Sequence, residues 1–261
     1  AVCIHLYYIE QWPKLKSYLE NIDKEFDLFV TCTADNQPEV EALIKSDYQH
    51  SIVVGADNHG MDVLPFLLIN HEYELWRYSA VLKLHTKNTK TSDDQIFGDI
   101  CYDSLLSSSE LVDRIVNKIW DDFYVGLIGP EVLYRSASSL MYVNASGVRD
   151  MFETLDVDYP KTDWGFFSFS LFWIRGNLLH ALAANFEEIN RLALLDSRVA
   201  KSGGDGTWAH AMERLFGALP VLQGMYSAAT YVESPSKNDW GIRSIPVGGF
   251  TKSLSFRVSS K

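Results

Sequence analysis

VCIHLYYIEQWPKLKSYLENIDKEFDLFVTCT (residues 2–33) holds one strand–helix–strand unit, and its reading decides the fold. Val2–Tyr8 is apolar and rich in strand formers. Trp12–Ile22 places Leu15, Leu19 and Ile22 at helical spacing, with Pro13 in the first turn. Leu28–Thr33 returns to strand character. Two strands joined through a helix pair in parallel, because the crossover reverses the chain twice.

The pattern continues outward. Pro38–Lys45 reads as a helix, Ser51–Gly55 as a short buried strand, Val63–His71 as a helix and Tyr78–Leu84 as a strand. Lys87–Asp99 is polar and is expected to be a mobile loop. Ser107–Phe123 reads as a helix in which Ser107 and Glu110 form a capping box. Val125–Gly129 is a strand, Asn144–Leu155 a helix and Phe166–Ile174 one long buried strand. Leu178–Leu195 reads as helix, Gly203 and Gly204 as a hinge, and Thr207–Leu219 as a further helix. The last 30 or so residues suit loops and short edge strands. The sum is an α/β fold: a mostly parallel central sheet flanked by helices in a single domain over 1–261. Ligands in such sheets sit beyond the carboxyl ends of the strands.

Composition narrows the function. The chain has 261 residues, of which 47% are apolar, and a formal charge of −11. An acidic chain does not suit a duplex nucleic-acid binder, although a local basic pocket can still hold a small anion. Cys3, Cys32 and Cys101 are far apart, which suits buried thiols in a reducing compartment better than a disulfide framework or a zinc site. No apolar run approaches the ~18–20 residues that cross a bilayer. The start has no charged-then-apolar leader. The chain begins with Ala and goes straight into an apolar segment, so one module of a longer protein is expected, with a cytoplasmic place.

Three segments carry candidate chemistry. Lys83, His85 and Lys87, around Thr86, alternate at a strand's carboxyl end, where they could neutralise a diphosphate or serve as a solvated strand end. Asn58-His59-Gly60-Met61-Asp62, preceded by Asp57, could hold a base, ribose or metal, or cap the next helix. Asp205, at a glycine-rich helix start, could accept the proton of a sugar hydroxyl or simply cap that helix. His210 and Glu213 stand as neighbours on that helix, away from its apolar stripe. Asp156 and Asp158 form a D-x-D pair, but after a helix-like segment rather than a buried strand.

Together these segments resemble the rhamnan synthesis protein F family of bacterial polysaccharide biosynthesis. Asn58-His59-Gly60-Met61-Asp62-Val63-Leu64-Pro65-Phe66 is similar to its E-N-R-G-R-D-x-x-P-F signature, and Leu82-Lys83-Leu84-His85-Thr86-Lys87 matches L-K-x-H-T-K. Asp205-Gly206-Thr207-Trp208-Ala209-His210-Ala211-Met212-Glu213-Arg214 is similar to D-G-T-x-A-H-A-x-E-R. His59 and Met61 stand where the family signature has arginine.

The resemblance implies a GT-A-like glycosyltransferase using a nucleotide-sugar donor, with rhamnose from a deoxythymidine-diphosphate donor as the family association. It further implies a growing, lipid-linked glycan acceptor, inversion at the anomeric carbon, and a place at the inner face of the bacterial membrane through other domains. Residues 1–130 would bind the donor and 131–261 the acceptor. Asp205 is the first choice as base, then Glu213, with His210 beside them. Asn58, His59 and Asp62 would shape the donor site. Lys83, His85, Thr86 and Lys87 would hold the diphosphate without a required metal. The competing readings are an inactive glycan- or partner-binding module, and a retaining or metal-dependent transferase built on Asp62 or on Asp156 and Asp158.

Overall fold

The computed structural model describes residues 1–87, 91–196, 205–234 and 239–246. The expected β-α-β order is present: β1 (Val2–His5), α1 (Trp12–Leu19), β2 (Leu28–Thr33), α2 (Gln37–Asp47), β3 (Ile52–Ala56), α3 (Val63–Tyr73) and β4 (Val81–His85). There follow α4 (Ser92–Leu106), α5 (Ser109–Asp121), β5 (Val125–Pro130), β6 (Tyr134–Ser136) and α6 (Ala145–Thr154). Then come β7 (Gly165–Phe167), β8 (Phe172–Ile174), α7 (His180–Ala184), α8 (Phe186–Leu195), α9 (Trp208–Leu222), β9 (Tyr226–Ser234) and β10 (Asp239–Ser244).

Among the described residues the main sheet has eight strands in the order β10-β9-β5-β8-β4-β1-β2-β3. The β1–β2, β2–β3, β1–β4 and β5–β9 pairs are parallel, and only β8 and β10 run against the rest. Side chains alternate across the sheet. Val2, Ile4, Leu28 and Val30 join one core layer with Leu15, Val40, Leu105 and Ile115 from α1, α2, α4 and α5. Cys3, Phe29 and Val81 join the other, with Phe66, Phe152, Ile189 and Phe216 from α3, α6, α8 and α9. All three cysteines are buried and free, as the sequence suggests.

The chain leaves β1 toward β2 on one side and returns from β3 to β4 on the other. This reversal of strand order opens a crevice beyond the carboxyl ends of β1 and β4, where open α/β sheets bind ligands.

Five local expectations are corrected. The expected loop over Lys87–Asp99 contains most of the first half of α4, whose Cys101, Tyr102, Leu105 and Leu106 recur at helical spacing and are buried. The cap of α5 is Ser108, not Ser107; its hydroxyl accepts from the Leu111 N–H at 3.2 Å. The helix expected over Leu178–Leu195 breaks at Asn185, whose side chain donates to Ala181 O at 2.9 Å. β3, expected to be a buried strand, is the edge strand at the opposite end of the sheet from β10, and of its residues only Val53 is buried.

The fifth correction bears on the site. Phe166–Ile174 is not one strand, because Phe169 and Ser170 adopt φ of 69° and 48° and turn the chain between sheets. β7 pairs with β6 in a separate two-stranded sheet, while β8 enters the main sheet between β4 and β5. The Gly203–Gly204 hinge lies outside the described residues.

Helix α9 lies directly on β7 because Gly217 has no side chain. A Cβ there would stand 2.3 Å from Gly165 O and 2.6 Å from the Phe166 Cα. Backbone cannot yield as a side-chain tip can. Gly217→Val is therefore expected to destabilise by roughly 1–3 kcal/mol or more, as overpacking does. An unchanged urea midpoint would contradict this packing.

Candidate functional site

A cleft of about 510 Å³ opens at the predicted place, the carboxyl ends of β1, β3 and β4. Its described walls include His5, Tyr7 and Tyr8 after β1, Asn58 to Asp62 after β3, and His85 to Lys87 after β4. Asp196, Thr207, Trp208 and Ala209 close it from the α8 and α9 side. The three segments singled out in the sequence thus meet in space.

Each wall has a local cause. The Thr86 hydroxyl accepts the N–H groups of Tyr7 and Tyr8, both at 3.0 Å, and so ties the β1 exit to β4. Thr86 is itself buried. Gly60 and Met61 take φ of 65° and 54°, a tight left-handed turn that delivers Asp62 to the start of α3. A Cβ at Gly60 would meet Leu64 at 2.5 Å and the Trp208 ring at 3.0 Å, so glycine lets the β3 exit close on α9. Asp62 occupies the cap position of α3, yet its side chain makes no cap bond.

That carboxylate turns inward instead. It accepts from Lys83 Nζ and lies 3.2 Å from His85 Nδ1. Lys83 is 1% exposed, donates also to Ser170 O at 3.2 Å, and sits 5.6 Å from the Phe66 ring centre. Burial works against the charge on Asp62, but the neighbouring His85 and Lys83 outweigh it and hold its carboxyl well below the usual range. Burial pushes His85 down to about 3 and His5 down to about 4, so both imidazoles are neutral near pH 7. The three expected cations therefore reduce to one that faces the cleft. Lys83 is neutralised by Asp62, His85 carries no charge, and Lys87 forms no ion pair among the described residues. Burial lowers Lys87 to about 8, and its ammonium lies 4.2 Å from the centre of the Phe169 ring.

The α9 residues divide. Asp205 accepts from Asn144 Nδ2 at 2.8 Å and from Arg214 Nη2 at 3.1 Å, and it is not among the described lining residues of the cleft. It does not cap α9; Thr207 holds that position, and the Trp208 N–H donates to Asp196 instead. His210 Nδ1 bonds Thr207 Oγ1 at 2.7 Å, and burial lowers its pKa. Glu213 accepts the Phe169 N–H and lies 3.3 Å from Arg214 Nη1. Burial raises Glu213 to about 7 against the pull of Arg214 and the Phe169 N–H, and it feels the charges of Asp62 and Lys87. Asp156 and Asp158 are exposed and away from the cleft lining. Among the described residues no group of three or more His, Cys, Asp or Glu could hold a metal ion.

Tyr7, Tyr8 and Trp208 were not expected in the site. The signal was available: if ligands meet strand ends, the residues after β1 qualify as well as those after β3 and β4.

Residues 1–225 match the model of the family described as rhamnan synthesis protein F. The chain belongs to that family. Its α/β architecture is compatible with the GT-A-like fold that the sequence resemblance implied, and the family name places it in polysaccharide synthesis. Two proteins from strains of Xanthomonas campestris pv. campestris, both named "Uncharacterized protein WxcX", are 28% identical to it over 227 residues. The match covers 86% of this rhamnan synthesis protein F member and 32% of each relative, so the chain spans about a third of their length. No solved structure matches it. Among the described residues no helix is long and apolar enough to cross a membrane.

Proposed function

We propose that this chain is a glycosyltransferase domain that moves a sugar from a nucleoside-diphosphate donor onto a growing bacterial polysaccharide. The observation that carries the reading is the convergence of Asn58–Asp62, His85–Lys87 and Thr207–Ala209 on one cleft at the strand-order reversal. The family association favours rhamnose and deoxythymidine diphosphate, a lipid-linked acceptor, and work at the cytoplasmic membrane face alongside other domains of a longer protein.

The reaction is a single displacement. The acceptor oxygen attacks the anomeric carbon, its proton passes to a carboxylate, and the bond to the diphosphate breaks with inversion. Lys87 meets the charge that grows on the leaving diphosphate, the place where stabilisation counts most. Glu213 replaces Asp205 as first choice of base. Its pKa of about 7 suits a group that must both take and release a proton, and although Arg214 contacts both carboxylates, Asp205 also accepts from Asn144. Lys83, with Asp62, holds the cleft floor in shape, and no divalent metal is required.

The pH profile tests this division of labour. Glu213 must be ionised, so activity rises through pH 7; Lys87 must be protonated, so activity falls above pH 8. A bell in kcat/KM with limbs near these values is expected, because kcat/KM reports groups of the free enzyme. Glu213→Gln should remove the acid limb from any residual rate, and Lys87→Arg should move the alkaline limb upward. A flat profile from pH 6 to 9 in the wild type would contradict both roles.

One observation favours a second reading. His59 and Met61, both exposed on the cleft wall, stand where the family signature has arginine, which leaves less charge for a donor. A catalytically idle glycan-binding module would bind sugar yet neither hydrolyse nor transfer any nucleotide sugar in a donor panel.

A further inference from the structure

The turn between β7 and β8 is costly. Phe169 and Ser170 are consecutive non-glycine residues in the left-handed region, at φ of 69° and 48°. Side chains rarely adopt that region, and such residues persist only where the surroundings hold them. Here both flanking backbone groups are held. The Phe169 N–H donates to Glu213, and the Ser170 carbonyl accepts from Lys83 at 3.2 Å. The turn therefore joins the candidate base to the buried cation of the cleft floor.

The result is an aromatic ring held out toward solvent. Phe169 is 46% exposed, although its neighbours Phe167 and Phe172 are buried. The Phe97 ring meets it edge-on at 4.9 Å, and the Lys87 ammonium stands 4.2 Å from its centre. The ring is thus fixed from two directions and still largely open. A hydrophobic core has no use for it there, and a surface turn of this shape would be cheaper with glycine or asparagine.

We infer that Phe169 is a stacking platform for a sugar ring of the glycan acceptor, and that the left-handed turn exists to hold that ring beside Glu213. This rests on the transferase reading of the site. The chemistry fits: the C–H face of a pyranose packs on an aromatic face, while its hydroxyls reach the neighbouring Lys87 and Glu213. An acceptor hydroxyl must come to the base, and Phe169 is the exposed side chain on the segment whose backbone binds that base. Phe169 is not among the described lining residues of the cleft, which leaves the body of the cleft to the donor.

The test measures binding rather than turnover. A synthetic rhamnotrioside is titrated into the wild-type chain and into Phe169→Gly and Phe169→Tyr, followed by saturation-transfer NMR. Glycine takes the left-handed turn without strain, so Phe169→Gly keeps the backbone, which an unfolding midpoint and retained near-ultraviolet dichroism verify. Wild type and Phe169→Tyr are expected to bind alike, and Phe169→Gly at least tenfold more weakly. Equal binding by Phe169→Gly, or no saturation transfer from the wild type to the trioside, overturns the platform. Turnover of nucleotide sugars, assayed separately on the wild type, bears on the transferase reading: binding without turnover sinks catalysis and leaves the platform standing.

Discussion

Glu213→Gln is expected to lower sugar transfer by about 10²–10⁴-fold, the usual worth of a general base, while the chain stays folded. Glutamine keeps the size and the acceptor oxygen for the Phe169 N–H; it removes the capacity to take a proton and the negative charge beside Arg214, which keeps Asp205 as a partner. The stability consequence has a definite sign. Glu213 has a folded pKa near 7, above the ordinary value of about 4.3 for an exposed glutamate. The folded state therefore binds the extra proton, and wild-type stability falls as pH rises across that window. Glutamine does not ionise, so the variant should lose less stability between pH 5 and 7 than the wild type. Asp205→Asn is expected to fall short of this activity loss, because Asp205 acts through its contacts with Arg214 and Asn144. Steady-state transfer rates with thermal unfolding of the same preparations check both. Near-normal transfer by Glu213→Gln would remove it as the base.

Asp62→Asn is expected to cost about 3–5 kcal/mol of stability, because it leaves the Lys83 ammonium buried without a counter-charge. Lys83 is almost wholly enclosed, so water cannot take over the lost interaction. The acid side supplies a second check. Asp62 has a depressed folded pKa, so its contribution is present above the unfolded value of about 3.9 and is lost as pH falls through the folded value. The gap between wild type and Asp62→Asn should therefore close in strong acid. The double variant Asp62→Asn, Lys83→Met should recover much of the loss, since a buried pair can often be replaced by apolar volume at little net cost. Urea unfolding at several pH values measures all three. A single variant as stable as the wild type would mean that Lys83 is solvated or otherwise paired.

Much of the sheet could be read from residues 2–85. There each strand is a short apolar run bounded by turn residues, and each helix carries its own apolar spacing. The signal weakened where burial hid geometry. Phe166–Ile174 is apolar throughout, so nothing in its pattern marks the reversal at Phe169 and Ser170. That reversal depends on Glu213 and Lys83, which are distant in sequence. The head of α4 was lost among polar residues, although Cys101 to Leu106 carried helical spacing.

The site divides in the same way. Which segments meet followed from strand ends and motif order. Which side chains face the cleft did not, because alternation along a strand cannot tell a free cation from a neutralised one. Lys83 and Lys87 look alike in sequence; Asp62, twenty-one residues before Lys83, separates their roles. Likewise Arg214 contacts both Asp205 and Glu213, Asn144 contacts Asp205, and neither acid is among the described lining residues of the cleft, all of which is set by tertiary contacts.

The most direct test is whether the cleft takes a nucleoside diphosphate against Lys87. Calorimetric titration of deoxythymidine diphosphate into the wild type and into Lys87→Met measures this at pH 7, where Lys87, titrating at about 8, is still mostly protonated. Saturable binding to the wild type is predicted, with a Kd at least tenfold higher in Lys87→Met. No binding of this or any other nucleoside diphosphate, or equal Kd values in the two proteins, would contradict it.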